Sequence, residues 1–400
     1  MAAYNSRSLF RRILIRSKLT SAFYLIKNTV RKILILIDQV INNIHMRIVR
    51  RQVVHLYGPT SITTAPDELV VVCLVRNGEP WIRSFLDHYF KLGAVHVCFL
   101  DNGSTDATIQ IAQSYDRVTI LQSDLPFGRY KYYYRSYLAE KFCENDWVLI
   151  ADIDELFNYP MSTQLGLSSF LSYLNHYEYT AVVTQMLDMY ADRPLQRSSS
   201  VTGGPLMKMY DCYDLDELND GGQKKITNNG SNTISNNEIK TISGGVRKRL
   251  FGAKPNLTKL SLFKLCNTTV KTSMISTHRI LGSRIADISC VLLHYKLIDG
   301  FYDYTGWAVS SKCYHENSIE YRAYHKLLQI TPELIIAGPS TRALKDIDQL
   351  VDEGFLVLSD TYKTWVAEKQ HRGQGEPPPR LMDTSKSLGR ESKKDFTLAR

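Results

Sequence analysis

The chain has 400 residues, 44 % hydrophobic and 22 % charged, with a net charge of +9. That composition is ordinary for a folded protein, and the length suits one large catalytic domain with extensions or two modest domains. Residues 1–52 hold eleven Lys and Arg against the single acid Asp38, a net +10, which leaves about −1 for everything after them. This argues against the body binding nucleic acid, which would need its own basic face.

Seven cysteines are scattered without CxxC spacing, which argues against structural zinc and a disulfide framework and points to a reducing compartment. Cys73 and Cys98 fall inside apolar runs, where a buried thiol acts as a small hydrophobe.

Residues 1–66 form a basic, apolar leader. Lys27, Arg31, Lys32 and Asp38 interrupt its best apolar stretch, 21–46, before it reaches the roughly 18–20 residues a membrane span needs. No small-residue cleavage site follows a compact apolar segment, so a secretory signal fits poorly. Two readings stay open: a helix lying on anionic lipid, or a helical extension packed on the body or another subunit.

From Leu69 the pattern changes. Val70 to Val75 is a continuous apolar run, as expected of a strand covered on both faces. Pro80 opens a helix whose Trp81, Phe85, Tyr89 and Leu92 recur at helical spacing, and Gly93 ends it. Strands follow at 95–100 and 118–121. Between them lies the loop Asp101 to Asp106, with Ser104 or Thr105 placed to cap a helix running to about Tyr115. A helix over 130–142 precedes a fourth strand, Trp147 to Ala151, and a further strand is expected at 181–186. Strands alternating with helices predict a mostly parallel sheet covered by helices on both faces, with ligands beyond the strands' carboxyl ends.

Residues 211–243, rich in Asn, Asp, Gly and Ser, read as a flexible surface insertion. Strands return near 246–251 and 289–295, residues 311–370 look helical, and 371–400 look disordered. The expected organisation is a leader (1–66), a catalytic domain (67–310), a helical C-terminal region (311–370) and a tail (371–400).

Asp152-Ile153-Asp154-Glu155 directly follows an apolar strand. Two carboxylates at i and i+2 on the lip of a sheet can ligate a hard divalent cation, which would neutralise a diphosphate leaving group. Asp101, just past a strand, can accept from a base or ribose hydroxyl. His278 and His294 offer imidazoles that could complete a metal shell or bind a sugar hydroxyl. Arg247 and Arg249 share a face if 246–251 is a strand, and could then clamp phosphate. Asp188 is the first choice for a base that deprotonates an acceptor hydroxyl, and Glu155 the second.

Together, Val75-Arg76-Asn77-Gly78-Glu79, Leu100 to Asp106 and Trp147 to Phe157 resemble the family-two glycosyltransferases, closest to the branch whose acidic motif reads Asp-x-Asp-Glu. The resemblance continues more weakly through Gly244 to Gly252, Lys259, Ser276 to His278 and Leu292 to Lys296. It implies a GT-A fold and an inverting, metal-dependent transfer of sugar from a nucleotide-sugar donor to an acceptor in glycan or polysaccharide synthesis. Asn77, Glu79 and Asp101 would then sit against the nucleoside, while Asp152 and Asp154 hold Mn²⁺ or Mg²⁺. The expected partners are the donor, a glycan or lipid-linked acceptor, and an anionic membrane surface reached through residues 1–55. The expected location is the cytoplasm, peripheral at the inner face of the membrane. The competing classes are a sugar nucleotidyltransferase and a non-catalytic, membrane-associated protein with a transferase-like fold. The single glycine of Val75 to Gly78 argues against the first, and the intact acidic motif against the second.

Overall fold

The computed structural model describes residues 29–30, 32–143, 146–197, 204–265, 276–278, 280–311 and 315–373. The leader before residue 29 and the tail beyond 373 lie outside them. The principal strands are β1 (Val54–Tyr57), β2 (Leu69–Val75), β3 (His96–Asp101), β4 (Val118–Gln122), β5 (Trp147–Ile150), β6 (Glu155–Asn158), β7 (Ala181–Asp188), β8 (Thr258–Lys264) and β9 (Arg284–His294). They form one sheet in the order β1-β4-β3-β2-β5-β8-β7-β9, with Thr233–Ile234 at the far edge and β6 paired to the end of β9. Strands β4, β3, β2 and β5 run parallel; β8 is antiparallel to both its neighbours, and β9 is parallel to β7. This is the expected mixed α/β architecture with a mostly parallel sheet.

The run Leu69–Val75 shows why the sheet is covered twice. All seven residues are buried. Leu69, Val71, Cys73 and Val75 join the core under helix α2 (Glu79–Leu92), while Val70, Val72 and Leu74 join the core under α4 (Phe127–Phe142). Period-2 alternation in a wholly apolar run gives each face its own core. Pro80 opens α2, and Gly93 closes it at φ 112°, its N–H reaching the Tyr89 carbonyl.

Helix α3 (Thr108–Ala112) is shorter than expected, and Asp106 rather than Ser104 or Thr105 accepts the Thr108 N–H, at 3.0 Å. Helix α5 (Leu167–His176) adds to the α2 layer.

Residues 246–251 are not a strand but helix α6 (Val246–Phe251). Gly245 at φ 70° and Gly252 at φ 68° bracket it, and the Gly252 N–H returns to the Lys248 carbonyl, closing one short turn of helix. Residues 211–243 are held against the body rather than looping away. They contain the short strands Cys212–Tyr213, Leu218–Asp220 and Thr233–Ile234 and the buried residues Ile226, Asn232 and Ile239. The Asn232 amide supplies the polar anchorage, donating to the Ile226 and Ile280 carbonyls at 2.8 Å. The C-terminal region carries helices α7 (Phe301–Ser311), α8 (His315–Ile330) and α9 (Asp360–Gly373), with little helix across 331–348.

Helix α1, over 32–52, projects from the body. Every side chain from Ile33 to Ile37 is 48–60 % exposed. Five successive positions circle a helix completely, so no face of that stretch packs on the described body. Contact begins lower down, where Met46 and Val49 are buried and the Tyr133 hydroxyl of α4 donates to Asn42 Oδ1 at 2.7 Å. Among the described residues no helix is long and apolar enough to cross a membrane.

Candidate active site

Strand β5 ends at the carboxyl edge of the parallel set, and the chain turns through 152–154 into β6. Strand β6 pairs antiparallel with β9, setting Glu155 opposite His294, and β9 pairs parallel with β7, setting His294 opposite Asp188. Three strand ends thus bring Glu155, His294 and Asp188 into one row. Asp154 is locked beside it, because its carbonyl accepts the Tyr295 N–H at 2.7 Å. Gly78 allows the close approach of the neighbouring loop. A Cβ there would stand 2.7 Å from Val75 Cγ2 and 3.0 Å from Ile153 Cγ1, the middle residue of the acidic motif.

Asp152, Asp154, Glu155 and Asp188 share three cations, Arg135, Lys259 and Arg247, and the His294 imidazole. Asp152 receives Arg135 at 2.7 Å and Lys259 at 3.0 Å, one on each oxygen. Lys259 also pairs with Glu155, whose other oxygen accepts the Asp152 N–H. His294 Nε2 lies 3.3 Å from Asp154 Oδ2, and its Nδ1 lies 2.5 Å from Asp188 Oδ1. The second Asp188 oxygen accepts from Arg247 Nε at 2.8 Å.

Burial by itself would raise the Asp152 pKa, but Lys259 and Arg135 outweigh it and hold the carboxyl well below its usual range. Asp154 is likewise lowered, with His294 opposing the effect of burial. Glu155 moves the other way: burial raises it, and Lys259 offsets that only in part. Burial would lower His294, yet Asp154 and Asp188 raise it.

Donor atoms of Asp154, Glu155 and His294 all lie within 4.8 Å of one another. Two carboxylates and an imidazole suit a divalent cation of the Mn²⁺ type. The 3.3 Å between Asp154 and His294 is close to the roughly 3 Å that separates neighbouring ligand atoms on a cation bound at about 2.1 Å. Asp188 behind the imidazole matches the carboxylate–histidine arrangement that orients a metal-binding ring. Asp154 and His294 fit such an ion; Glu155, its two oxygens taken by Lys259 and the Asp152 N–H, would join them only by exchanging one of those partners for the ion.

These groups open onto a cleft of about 460 Å³ whose walls include Asp152, Asp154, Glu155, Arg247, Lys259, His278 and His294. Of the residues singled out from sequence, those six besides Lys259 share the cleft. Asn77 and Glu79 line an adjoining cavity of about 260 Å³ that shares the Trp81, Lys296 and Tyr304 walls. Asp101 lines neither. It is fully buried, and its carboxylate accepts from the Gly103 and Ser104 N–H groups and the Gln122 amide. Asp188 stands behind His294, off the cleft wall, with both oxygens engaged, so it meets no acceptor directly. Arg249 departs from Arg247 because helical positions two apart diverge; it pairs with Asp214 and the Ile336 carbonyl away from the cleft.

Glu320 of α8 also lines the cleft; it and Arg135 were not singled out from sequence, and Lys259 only within the weaker part of the resemblance. Lys259 left a weak signal, a charge directly before the apolar positions Leu260, Leu262 and Phe263 of its strand, where an unpaired Lys is costly to bury. Arg135 sits among the tyrosines of α4 and Glu320 on a distant helix, and nothing local marks either.

No family model matches the chain, and no curated protein matches it. Among solved structures it is similar to glucosyl-3-phosphoglycerate synthase from Mycobacterium tuberculosis, solved with Mn²⁺, UDP and glucosyl-3-phosphoglycerate. That match has 18 % identity and a TM-score of 0.20, over 32 % of this chain; the chain spans about half of that protein, 51 %. It is also similar to a mannosyltransferase from Pyrobaculum calidifontis solved with GDP-mannose and Mn²⁺, at 14 % identity and a TM-score of 0.30, over 82 % of this chain and 91 % of the other.

Proposed function

We propose that this protein is a glycosyltransferase of the GT-A type that moves a sugar from a nucleotide-sugar donor to an acceptor hydroxyl with inversion. The observation that carries this reading is the Asp154–Glu155–His294 donor set on the wall of a cleft that also presents Arg76, Lys131, Arg135 and Lys259. Asp154 and His294, with Glu155 beside them, would hold Mn²⁺ or Mg²⁺. A bound cation would neutralise the charge developing on the departing diphosphate. Asp188 keeps the His294 imidazole turned toward Asp154. Lys259 and Arg135 keep Asp152 ionised beside the ion's position. Asp101 supports the nucleoside end from behind by shaping its loop, and Asn77 and Glu79 face the adjoining cavity.

The catalytic unit is 67–310, and the C-terminal helical region completes the cleft through Ile319, Glu320 and Tyr321. The test is calorimetry with UDP and GDP, with and without Mn²⁺, followed by a screen of nucleotide sugars for Mn²⁺-dependent hydrolysis. Metal-dependent heat and hydrolysis of one donor are expected; their absence overturns the reading.

The exposed apolar stretch of α1, beside a leader of net charge +10, supports a peripheral position on anionic lipid. Flotation with phosphatidylglycerol vesicles should be lost in Ile35→Asp/Ile37→Asp, and equal flotation of that variant refutes the lipid assignment.

A further inference from the structure

The four carboxylates on the cleft wall differ in what surrounds them. Asp152 carries two cations, Asp154 faces the imidazole, and Glu155 is 1 % exposed and paired with Lys259. Glu320 comes from α8, on the wall formed by the C-terminal helices. Its side chain is 38 % exposed, it accepts the Tyr324 hydroxyl, and its cationic neighbour, Arg247, stands at 3.6 Å. Those two contacts fix its direction while leaving it open to the cleft.

Glu320 is also tied to the acidic motif. Arg247 pairs with Asp188, Asp188 with His294, and His294 with Asp154, so an unbroken line of charged contacts joins the two walls. Around Glu320 the cleft is aromatic. Tyr304, Trp307 and Tyr321 line it, with the Tyr304 ring 5.8 Å from each of the other two. Ring faces of this kind receive the C–H face of a pyranose, while a nearby carboxylate receives its hydroxyl.

Building on the transferase reading above, we propose that Glu320 is the base that takes the acceptor proton, and that Tyr304, Trp307 and Tyr321 seat a sugar ring of the acceptor. The acceptor oxygen forms the new bond to the anomeric carbon and its proton passes to Glu320. The bond from that carbon to the diphosphate oxygen breaks, and the nucleoside diphosphate leaves with the electron pair. Arg247 from α6 and Tyr324 from its own helix contact Glu320, and Tyr321 and Lys296, which donates to Tyr321 at 2.9 Å, line the same cleft.

The experiment compares wild type, Glu320→Gln and Glu320→Asp on the nucleotide sugar that wild type hydrolyses with Mn²⁺, water serving as acceptor. Glu320→Gln should lose 10²–10⁴-fold in kcat, a range typical of a removed base. It should also lose the acid limb of the pH–rate profile, keep the Mn²⁺-dependent heat of nucleoside diphosphate binding, and be partly rescued in Glu320→Asp. Unchanged kcat with intact binding overturns Glu320 as base and leaves the donor reading standing. Loss of the diphosphate heat in Glu320→Gln overturns it too, by placing Glu320 in donor binding. Absence of that heat in wild type fails the transferase reading itself.

Discussion

Two acidic loops lie beyond the carboxyl ends of the same sheet, and they handle charge in opposite ways. In the loop 101–106 the carboxylates face the backbone. Asp101 accepts from Gly103 and Ser104, and Asp106 accepts from Glu79 and Thr108, while Glu79 returns a bond from Ala107. In the loop 152–155 the carboxylates face side-chain cations from α4, β8 and β9. Carboxylates met by N–H groups build a loop; carboxylates met by side chains from other elements build a charged wall that those elements hold together. Position at a strand end is common to both and does not separate them.

The contrast is sharpest at Lys259, which is buried between Asp152 and Glu155. Removing it in Lys259→Ala leaves an uncompensated acid inside and should cost about 3–5 kcal/mol in denaturant unfolding. A loss below 1 kcal/mol would show that the acids of this loop do not depend on their cations. Asp154→Ala should have the reverse profile. Turnover falls about 10²–10³-fold, the size of one lost electrostatic contact to a developing charge, while the melting temperature barely moves. Asp101→Ala should cost about 1–3 kcal/mol in stability, since three donors lose their acceptor, and leave Mn²⁺-dependent diphosphate heat measurable. A variant that is stable but blind to nucleotide would erase the distinction between the loops.

The last effect lies behind β6 and shows only as pH falls. His88, half-buried, has its pKa pulled down to about 4 by burial, against which its bond to the Phe157 carbonyl acts only in part. The unfolded chain, at about 6.5, takes up this proton first as pH falls. The contribution to stability is therefore full above pH 6.5 and lost between 6.5 and 4, roughly 2 kcal/mol after discounting for partial exposure. His88→Gln should flatten that part of the stability–pH curve, as followed by urea unfolding.

The first half of the molecule was largely readable because its signals are local. Leu69–Val75 is apolar at every position, Pro80 and Gly93 punctuate α2, and the acidic motif follows a buried strand directly. The second half was less so because its structure is set by distant contacts. Val246–Phe251 has a composition compatible with a strand, but it folds as a short helix bracketed by Gly245 and Gly252, both at positive φ. That difference separates Arg247 from Arg249 and removes the expected clamp. The apolar run 181–186 points to a strand there, and Asp188 is the last residue of that strand, but its enclosure by Arg247 and His294 depends on residues 59 and 106 positions away. The acids of the Asp152 loop were visible, whereas Arg135 and Lys259 gain meaning only once α4 and β8 lie beside it.

Helix α4 is held from two sides. Its Tyr133 and Glu140 grip α1 through Asn42 and Arg50, and two positions past Tyr133 its Arg135 reaches Asp152. Deleting the first 55 residues therefore also withdraws a brace from the helix that aims Arg135. Activity lost on truncation is ambiguous between detachment from a surface and a slackened cleft wall. Substitutions confined to the bare crown at Ile33–Ile37, which touches nothing on the described body, disturb the first and spare the second.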